Sequence, residues 1–476
     1  MTSNNLSPTP NGSMGQYSKR TLILGLMGLL VVAETVFSGA IVGIAKYTGR
    51  DYSGIASQLY ATRILMSPFV GPHPIEKATG ARYLGHYTNR NSKDYYPADG
   101  LRGWRLANSV AIVDTLNEYM AAVSEFREDG KPVENWRFTN DQGFMTSGEL
   151  RFHYELPKPA GVYRIIVVGG STVEGVGADG YQNTLTSRLS ARLKAMVVEK
   201  GLSGPNRIEV INAGVGAYHS ALEYLYMVSD LVKYQPDLVI AYNGNNDAIA
   251  ANWEISSPGR SPFRTETHLS NAVRANKSYT LGGAADLFIE NLIPESLRFA
   301  SRFSLGFTLL KLSEYANIWL SPDSRPVHFY TAPPFSPKSV TNYQNNLERM
   351  AFLAQQYKFK FAAMLQPTLG VDGKINVGRE KMIFKNNTDL MNVKKQFYAG
   401  ARKSFSAMQR KYLGNKAVCI ADLNATVFRG LKIRVYADNS HLLGSGNDLV
   451  AEKMLGELMR CGFLPISRRK EKTEIK

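Results

Sequence analysis

Cysteine is nearly absent from this chain, which contains only Cys419 and Cys461 among 476 residues. Their wide separation excludes the closely spaced Cys-x-x-Cys pairs of redox and zinc motifs. The two thiols could form one disulfide, which requires an oxidising compartment, or remain two small buried side chains. The sequence leaves both alternatives open.

Signals for cofactor and nucleic-acid binding are also missing. The glycine-rich segment GGSTVEG at 169–175 lacks the lysine of a phosphate-binding loop, and no metal-ligand cluster is evident, so we expect neither metal nor cofactor. Lys and Arg outnumber Asp and Glu by 56 to 40, giving a net charge of +16, but the positive charge is dispersed and no nucleic-acid-binding module occurs. We expect no nucleic-acid partner, and the charge favours anionic glycans or lipids.

An apolar stretch lies near the N-terminus. Residues 21–45 are interrupted only by Glu34 and exceed the length of about 20 residues that spans a bilayer. Lys19 and Arg20 precede the stretch, so the positive-inside rule predicts a cytoplasmic tail at 1–20, a single-pass signal anchor at 21–45 and an extracytoplasmic remainder. A cleaved signal peptide is the alternative, because Ser38–Ala40 offers small residues for cleavage.

Strand and helix patterns alternate regularly from residue 161 to residue 465. Amphipathic helical spacing separates five short apolar runs typical of strands buried on both faces. The runs are Tyr163–Val168, Ile208–Asn212, Asp237–Tyr242, Phe361–Pro367 and Ala417–Leu423. The alternation predicts an α/β domain with a parallel sheet of about five strands and helices on both faces.

Three regions fall outside this alternation. Residues 46–160 form an accessory region that we expect to cover an edge of the sheet, and residues 466–476 form a basic tail. Residues 248–338 interrupt the alternation with an apolar, helical middle, and we expect this insertion to shape a substrate pocket.

Four short motifs occur where strands end or before the last helix. They are GGS at Gly169–Ser171, NAGVGAYHS at Asn212–Ser220, NGNND at Asn243–Asp247 and DNSH at Asp438–His441. Ligands of an open parallel sheet bind beyond the carboxyl ends of its strands, so the four motifs are expected to meet at one edge.

The order of these motifs resembles that of the SGNH (GDSL-type) hydrolases, a family of serine esterases and lipases with a flavodoxin-like α/β fold. The resemblance covers about residues 163–459 apart from the insertion. It implies that Ser171 is the nucleophile, His441 its general base and Asp438 the acid that orients the imidazole. The oxyanion hole would consist of the Ser171 backbone N–H, an N–H of the glycine turn and the Asn246 amide.

The sequence departs from the family pattern at two places. Gly170 stands where the family has aspartate, which makes this a GGS variant. The family's oxyanion glycine aligns with Gly216 if the turn is one residue shorter, and with Ala217 by counting from Asn212. The donor would be a backbone N–H in either case.

The remaining motif residues are expected to support the site. Gly244 opens the third motif, and Asn243 and Asp247 flank its asparagine. His219 is interpreted as a residue at the start of a helix rather than a participant in the chemistry.

Each catalytic candidate also has a structural interpretation. Ser171 alone could cap a helix, His441 could be a surface histidine, and Asn246 with Asp247 could form an Asx-turn. Their joint occurrence in the expected order favours a catalytic set.

The sequence therefore predicts a membrane-anchored, extracytoplasmic serine esterase that cleaves ester-linked acyl groups through an acyl-enzyme. Its substrate would be an acylated small molecule, lipid or glycan. One alternative is an O-acyltransferase acting on an envelope or exported polysaccharide. Another is a non-catalytic glycan-binding or assembly protein that keeps the fold.

Overall fold

The computed structural model describes residues 81–86, 95–99, 101–115, 134–146, 153–252, 255 and 332–467. The predicted tail and anchor at 1–45, most of the insertion and most of the basic tail lie outside these residues. Among the helices that the structure describes, none combines the length and the apolar character needed to cross a membrane.

The described part of the N-terminal accessory region contains two small sheets. Its strands are β1 (Arg82–His86), β2 (Ala98–Asp99), β3 (Gly103–Trp104), β4 (Val110–Thr115) and β5 (Glu134–Phe138). β4 lies between β1, which is parallel to it, and β5, which is antiparallel, while β2 and β3 form a separate antiparallel pair.

A five-stranded sheet forms the centre of the described chain. Its strands are β6 (Val162–Gly169), β7 (Arg207–Gly214), β8 (Leu238–Asn243), β9 (Lys360–Leu365) and β10 (Val418–Asp422). The order β10-β9-β8-β6-β7 is parallel throughout and corresponds to the flavodoxin-like order 2-1-3-4-5. The predicted fold class is confirmed.

Seven α-helices accompany these strands in the described residues. They are α1 (Ser171–Glu174), α2 (Leu185–Lys200), α3 (Ser220–Tyr226), α4 (Pro337–Tyr357), α5 (Arg379–Asn386), α6 (Thr388–Lys411) and α7 (Gly444–Arg460). The chain forms short π-helices at Met227–Leu231 and Asp247–Ala251, and 3-10 turns at Tyr181–Asn183 and Val232–Tyr234.

Alternate side chains of the buried strands build a core on each face of the sheet, as the two-residue repeat of a strand requires. Ile166 and Val168 of β6 pack on the face that carries α3, α4 and α6, together with aromatic residues of the accessory region. Ile165 and Val167 pack on the opposite face against α2 and α7. Helices therefore cover both faces, as predicted.

The spacing of Leu222, Leu225, Val228 and Val232 predicts a helix that ends before Pro236, and this prediction was wrong in detail. A regular 3.6-residue repeat after Leu222 places Val228 on the buried face, but Val228 is 49% exposed. The π-helix at Met227–Leu231 inserts extra backbone and rotates the buried stripe, so that Met227 and Leu231 enter the core instead.

The edge strand β7 carries two connections that the sequence did not reveal. Met145 of the accessory region pairs with Asn212, so this region lies against that edge of the sheet. Glu209 of β7 pairs with Arg164, its register partner on β6, and both side chains are fully buried. On the far edge, Cys419 of β10 and Cys461 after α7 form a disulfide, which settles the alternative left open by the sequence.

Candidate functional site

Ser171 lies where β6 ends and the one-turn helix α1 begins. Gly170 occupies the N-cap position, so Ser171 is the first helical residue rather than the cap. A Cβ atom on Gly169 would approach the Tyr242 carbonyl to 2.6 Å, and one on Gly170 would lie 2.3 Å from Asn246 Nδ2. The two glycines thus allow a sharp turn in which the Asn246 amide lies beside the serine.

His441 lies within hydrogen-bond distance of Ser171, although 270 residues separate them. Its Nε2 atom is 2.7 Å from Ser171 Oγ, and its Nδ1 atom is 2.6 Å from Asp438 Oδ2. Asp438 Oδ1 also accepts the backbone N–H groups of Ser440 and His441, each at 2.7 Å, which closes a tight Asx-turn. The structure therefore brings the three predicted side chains into one hydrogen-bonded chain.

The charge on Asp438 determines which ring nitrogen of His441 carries the proton. Burial alone would raise the pKa of the Asp438 carboxyl, but His441 and the backbone N–H groups of His441 and Ser440 lower it to about 2. The carboxylate is thus ionised at neutral pH and accepts a hydrogen bond from Nδ1–H. Nε2 is then the acceptor for the Ser171 hydroxyl.

The glycine turn lies against the nucleophile loop. Val215 donates its N–H to the Gly169 carbonyl at 3.0 Å, and Asn246 Nδ2 donates to the Tyr218 carbonyl at 2.8 Å. Within the described residues, the backbone N–H groups of Ser171, Gly216 and Ala217 donate no hydrogen bond. These groups and the second amide hydrogen of Asn246 are the donors available to an oxyanion.

Ala217 occupies the position of the turn that needs glycine-like geometry. Tyr218 donates its N–H to the Val215 carbonyl at 3.1 Å, and Ala217 has φ +62° while Gly216 does not have a positive φ. Positive φ at the third residue is the type II pattern. Of the two alignments open to the sequence, this geometry favours Ala217.

The supporting residues of the third motif are buried beneath the edge. Asn243 accepts from Tyr343 Oη at 2.8 Å and donates to Glu223, while Asp247 Oδ1 accepts from Ser220 Oγ at 2.5 Å. Burial raises the pKa of Asp247 and, with Asp247 nearby, raises that of Glu223 well above its ordinary value.

Gly244 and His219, which the sequence analysis also singled out, both have roles in the local backbone structure. Gly244 has φ +119°, and a Cβ atom there would approach a Leu365 methyl carbon to 2.6 Å. His219 occupies the N-cap position of α3, as its interpretation as a helix-start residue predicted.

Lys394 is a residue near the site that sequence reasoning missed. Its fully buried ammonium group donates to Asn439 Oδ1 at 2.8 Å, to the Asn439 carbonyl at 3.0 Å and to Thr368 Oγ1 at 3.0 Å. Burial lowers the pKa of Lys394 to about 7, although nearby Asp438 acts in the opposite direction. The sequence held a signal, because Lys394 falls on the apolar stripe of α6 with Leu390, Phe397 and Ala401.

Sequence reasoning also missed two close contacts that other parts of the chain make with the site. A Cβ atom on Gly177 would lie 2.6 Å from His441 Cβ, so this glycine lets the histidine loop reach the nucleophile loop. Trp104 Nε1 of the accessory region donates to the Gly216 carbonyl at 3.0 Å. The short sequence motifs carry no signal for either contact.

Comparison with solved structures finds several esterases of low sequence identity. An acetyl xylan esterase, AlAXEase, is 14% identical, with a TM-score of 0.28 and coverage of 62% of this chain and 98% of that one. An acetyl-xylooligosaccharide esterase from Geobacillus Stearmophilus is 12% identical (TM-score 0.34, coverage 64% and 97%). A lipase/acylhydrolase from Enterococcus faecalis is 14% identical (TM-score 0.28, coverage 64% and 99%).

The sequence itself identifies the family more directly. No curated protein matches the chain. Residues 165–454, more than half of the chain, match the GDSL-like Lipase/Acylhydrolase family, and this range includes all four motifs. The chain therefore belongs to the GDSL-like lipase/acylhydrolase family and is a hydrolase acting on ester bonds.

Proposed function

We propose that this protein is a membrane-anchored, extracytoplasmic serine esterase that works through an acyl-enzyme. The contact between His441 Nε2 and Ser171 Oγ at 2.7 Å, continued to Asp438, is the observation that carries the proposal. A serine hydroxyl becomes a useful nucleophile only when an adjacent base removes its proton, and here the base is oriented by an ionised carboxylate.

The reaction begins with attack of Ser171 Oγ on the ester carbonyl carbon while His441 Nε2 takes the hydroxyl proton. The carbonyl oxygen becomes an oxyanion, which the backbone N–H groups of Ser171 and Ala217 and the Asn246 amide stabilise. The bond to the alkoxy oxygen then breaks, and the leaving alcohol receives the proton from His441.

Water completes the cycle. His441 takes a proton from the water molecule as its oxygen attacks the acyl-enzyme, and the second tetrahedral intermediate collapses. The carboxylic acid leaves, and the proton returns to Ser171 Oγ. Asp438 remains ionised throughout and stabilises the imidazolium formed in each half of the reaction.

Two features support the proposed location outside the cytoplasm. The apolar residues 21–45 follow Lys19 and Arg20, which favours a cytoplasmic N-terminus. The Cys419–Cys461 disulfide suits an oxidising compartment. With a net charge of +16, acylated anionic glycans or lipids of an envelope are suitable substrates.

The activity is tested with p-nitrophenyl esters of increasing acyl length and the purified full-length chain. We expect Ser171→Ala to reduce the rate by at least about 10³-fold, because the nucleophile is lost while the fold remains. Equal rates in both proteins would contradict the proposal. Addition of a polysaccharide acceptor distinguishes hydrolysis from acyl transfer, since transfer leaves the acyl group on the acceptor.

The location is tested separately. An epitope is attached at each terminus of the chain. Cells whose outer envelope layers have been removed, and whose cytoplasmic membrane is intact, are then treated with protease. The proposal predicts digestion of the C-terminal epitope and protection of the N-terminal one. Protection of both epitopes would contradict an extracytoplasmic catalytic domain.

A further inference from the structure

Trp104 of the accessory region holds the turn that contains Ala217. Its indole N–H donates to the Gly216 carbonyl at 3.0 Å across 112 residues of sequence. Its own carbonyl accepts the Tyr218 hydroxyl, and the Trp104 and Tyr218 rings pack edge to face with centroids 5.6 Å apart. One residue thus contacts both the middle and the end of the turn Val215–Tyr218.

The bond to Gly216 fixes the direction of the Ala217 N–H. The Gly216–Ala217 peptide bond is trans. The C=O and N–H of a trans peptide lie in one plane and point in opposite directions. When the indole holds the Gly216 carbonyl on the accessory side, the Ala217 N–H points away from Trp104.

The two ends of the turn also contact the nucleophile loop and Asn246. Val215 of the turn bonds to Gly169, and the Tyr218 carbonyl accepts from Asn246 and would lie 3.0 Å from a Cβ atom on Gly170. The turn thus contacts the indole through the Gly216 carbonyl and the serine loop with Asn246 through Val215 and Tyr218.

The turn has an alternative conformation that the indole bond opposes. Rotation of the Gly216–Ala217 peptide converts a type II turn into a type I turn, in which the third residue has negative φ. Alanine prefers negative φ, whereas Ala217 has φ +62°. Nothing in the side chain of Ala217 stabilises the observed form, so an external contact has to do so.

We propose that Trp104 is a positioning residue of the esterase site, whose indole N–H keeps the Gly216–Ala217 peptide in the orientation that presents the Ala217 N–H to the oxyanion. This inference rests on the proposed function and extends the site to the accessory region. It assigns Trp104 a part in catalysis through the backbone of the turn, without contact with the substrate.

The first test compares Trp104→Phe with the wild type on p-nitrophenyl acetate. The variant keeps an aromatic ring and loses the N–H. We expect kcat to fall at least about 10-fold, and by no more than the roughly 10²–10³-fold attributed to loss of a whole oxyanion donor, with KM nearly unchanged. Tyr154→Phe is the matched control, because Tyr154 Oη also donates to a backbone carbonyl, that of Val210 in β7, at 3.3 Å. Its kcat should equal that of the wild type.

Two further measurements separate positioning from a general loss of structure. A thionoester accepts hydrogen bonds poorly at sulfur, so the ratio of ester to thionoester rates should fall in Trp104→Phe. Adding Ala217→Gly removes the penalty of positive φ and should restore kcat several-fold in the double variant. If Trp104 had only a structural role, the ratio of ester to thionoester rates would not change and Ala217→Gly would not restore kcat.

The proposal is overturned if folded Trp104→Phe retains the wild-type kcat. It is also overturned if its ester and thionoester rates fall equally and Ala217→Gly restores nothing. Failure of the proposed function itself would look different, because the wild type would then be no faster than Ser171→Ala.

Discussion

At the scale of single residues, Asp438 decides which nitrogen of His441 is the base. Its ionised carboxylate, with a pKa lowered to about 2, holds the proton on Nδ1 and leaves Nε2 facing Ser171 Oγ. An amide at position 438 would present a donor or a weaker acceptor to the same nitrogen. The acid–base chemistry of the site therefore depends on a group that never touches the substrate.

Asp438→Asn should lower kcat by about 10⁴-fold at neutral pH, the size of the effect that a serine protease triad shows for the same change. The wrong tautomer is the reason, since an asparagine carbonyl and amide no longer select Nδ1–H. Steady-state kinetics on a p-nitrophenyl ester measures the change. A decrease below 10-fold would show that Asp438 does not orient the base.

The sequence motifs identified the residues of the candidate site but not the side chains that surround them. Ser171 and Asn246 stand in short patterns at strand ends, and Asp438 and His441 in a pattern before the last helix. Sequence and topology together predict that these patterns meet. The buried Lys394 and the turn contact from Trp104 depend on tertiary packing between segments far apart in the sequence, so no local pattern announces them.

At the scale of elements, α6 brings a charged group under the catalytic loop. Lys394 is fully buried and donates to Asn439, the residue after Asp438. Burial lowers its pKa from the ordinary 10.5 to about 7, so below that pH the folded state carries the full free-energy cost of a buried ammonium.

This shift predicts a pH-dependent stability with a definite sign. Between about pH 7 and 10.5 the unfolded chain keeps the Lys394 proton and the folded chain releases it, so the contribution of Lys394 to the free energy of unfolding rises with pH. From pH 7 to pH 9 the rise is about 2 kcal/mol. Lys394→Met should lack this rise. Urea unfolding at pH 7 and pH 9 measures the free energy of unfolding of both proteins. Parallel pH profiles in both proteins would contradict the assignment.

The accessory region also contacts α1 through a buried charged cluster. Arg137 of β5 pairs with Glu174, and both side chains are at most 2% exposed. The Glu174 carboxylate also accepts from Tyr95 Oη at 3.1 Å and from Tyr96 Oη at 2.7 Å. These contacts join the region before the sheet to the helix that begins with Ser171.

Removal of the cation from this cluster should be strongly destabilising. Arg137→Met leaves the Glu174 charge without its guanidinium partner, and we expect the free energy of unfolding to fall by about 3 kcal/mol. Adding Glu174→Gln should restore part of the loss, since the neutral amide needs no cation. Urea unfolding measures the free energy of unfolding of both variants. If Arg137→Met alone lay within about 0.5 kcal/mol of the wild type, the cluster would not be a structural link.

Element types followed from the sequence more closely than their internal geometry did. All five apolar runs became neighbouring parallel strands, because buried runs separated by amphipathic helices have few other arrangements. The π-helix that exposes Val228 and the Arg164–Glu209 pair inside the sheet could not be predicted. Each is decided by what packs against it rather than by the local pattern of apolar residues.

At the scale of the whole molecule, the disulfide ties the far edge of the sheet to the end of the last helix. It joins Cys419 of β10 to Cys461 after α7 and closes a loop of 42 residues. Breaking a loop of that length with Cys419→Ser/Cys461→Ser should lower the free energy of unfolding by about 4 kcal/mol. Chemical denaturation with and without reductant checks this, and an unchanged midpoint would argue against the cross-link.

The central claim is that Ser171 is a nucleophile activated by His441, and covalent labelling tests it most directly. The full-length protein is treated with a fluorophosphonate, and the modified peptide is identified by mass spectrometry. We predict one adduct, on Ser171, formed far more slowly in His441→Ala and absent in Ser171→Ala. Labelling at another residue, or equal labelling of Ser171→Ala and the wild type, would contradict the account.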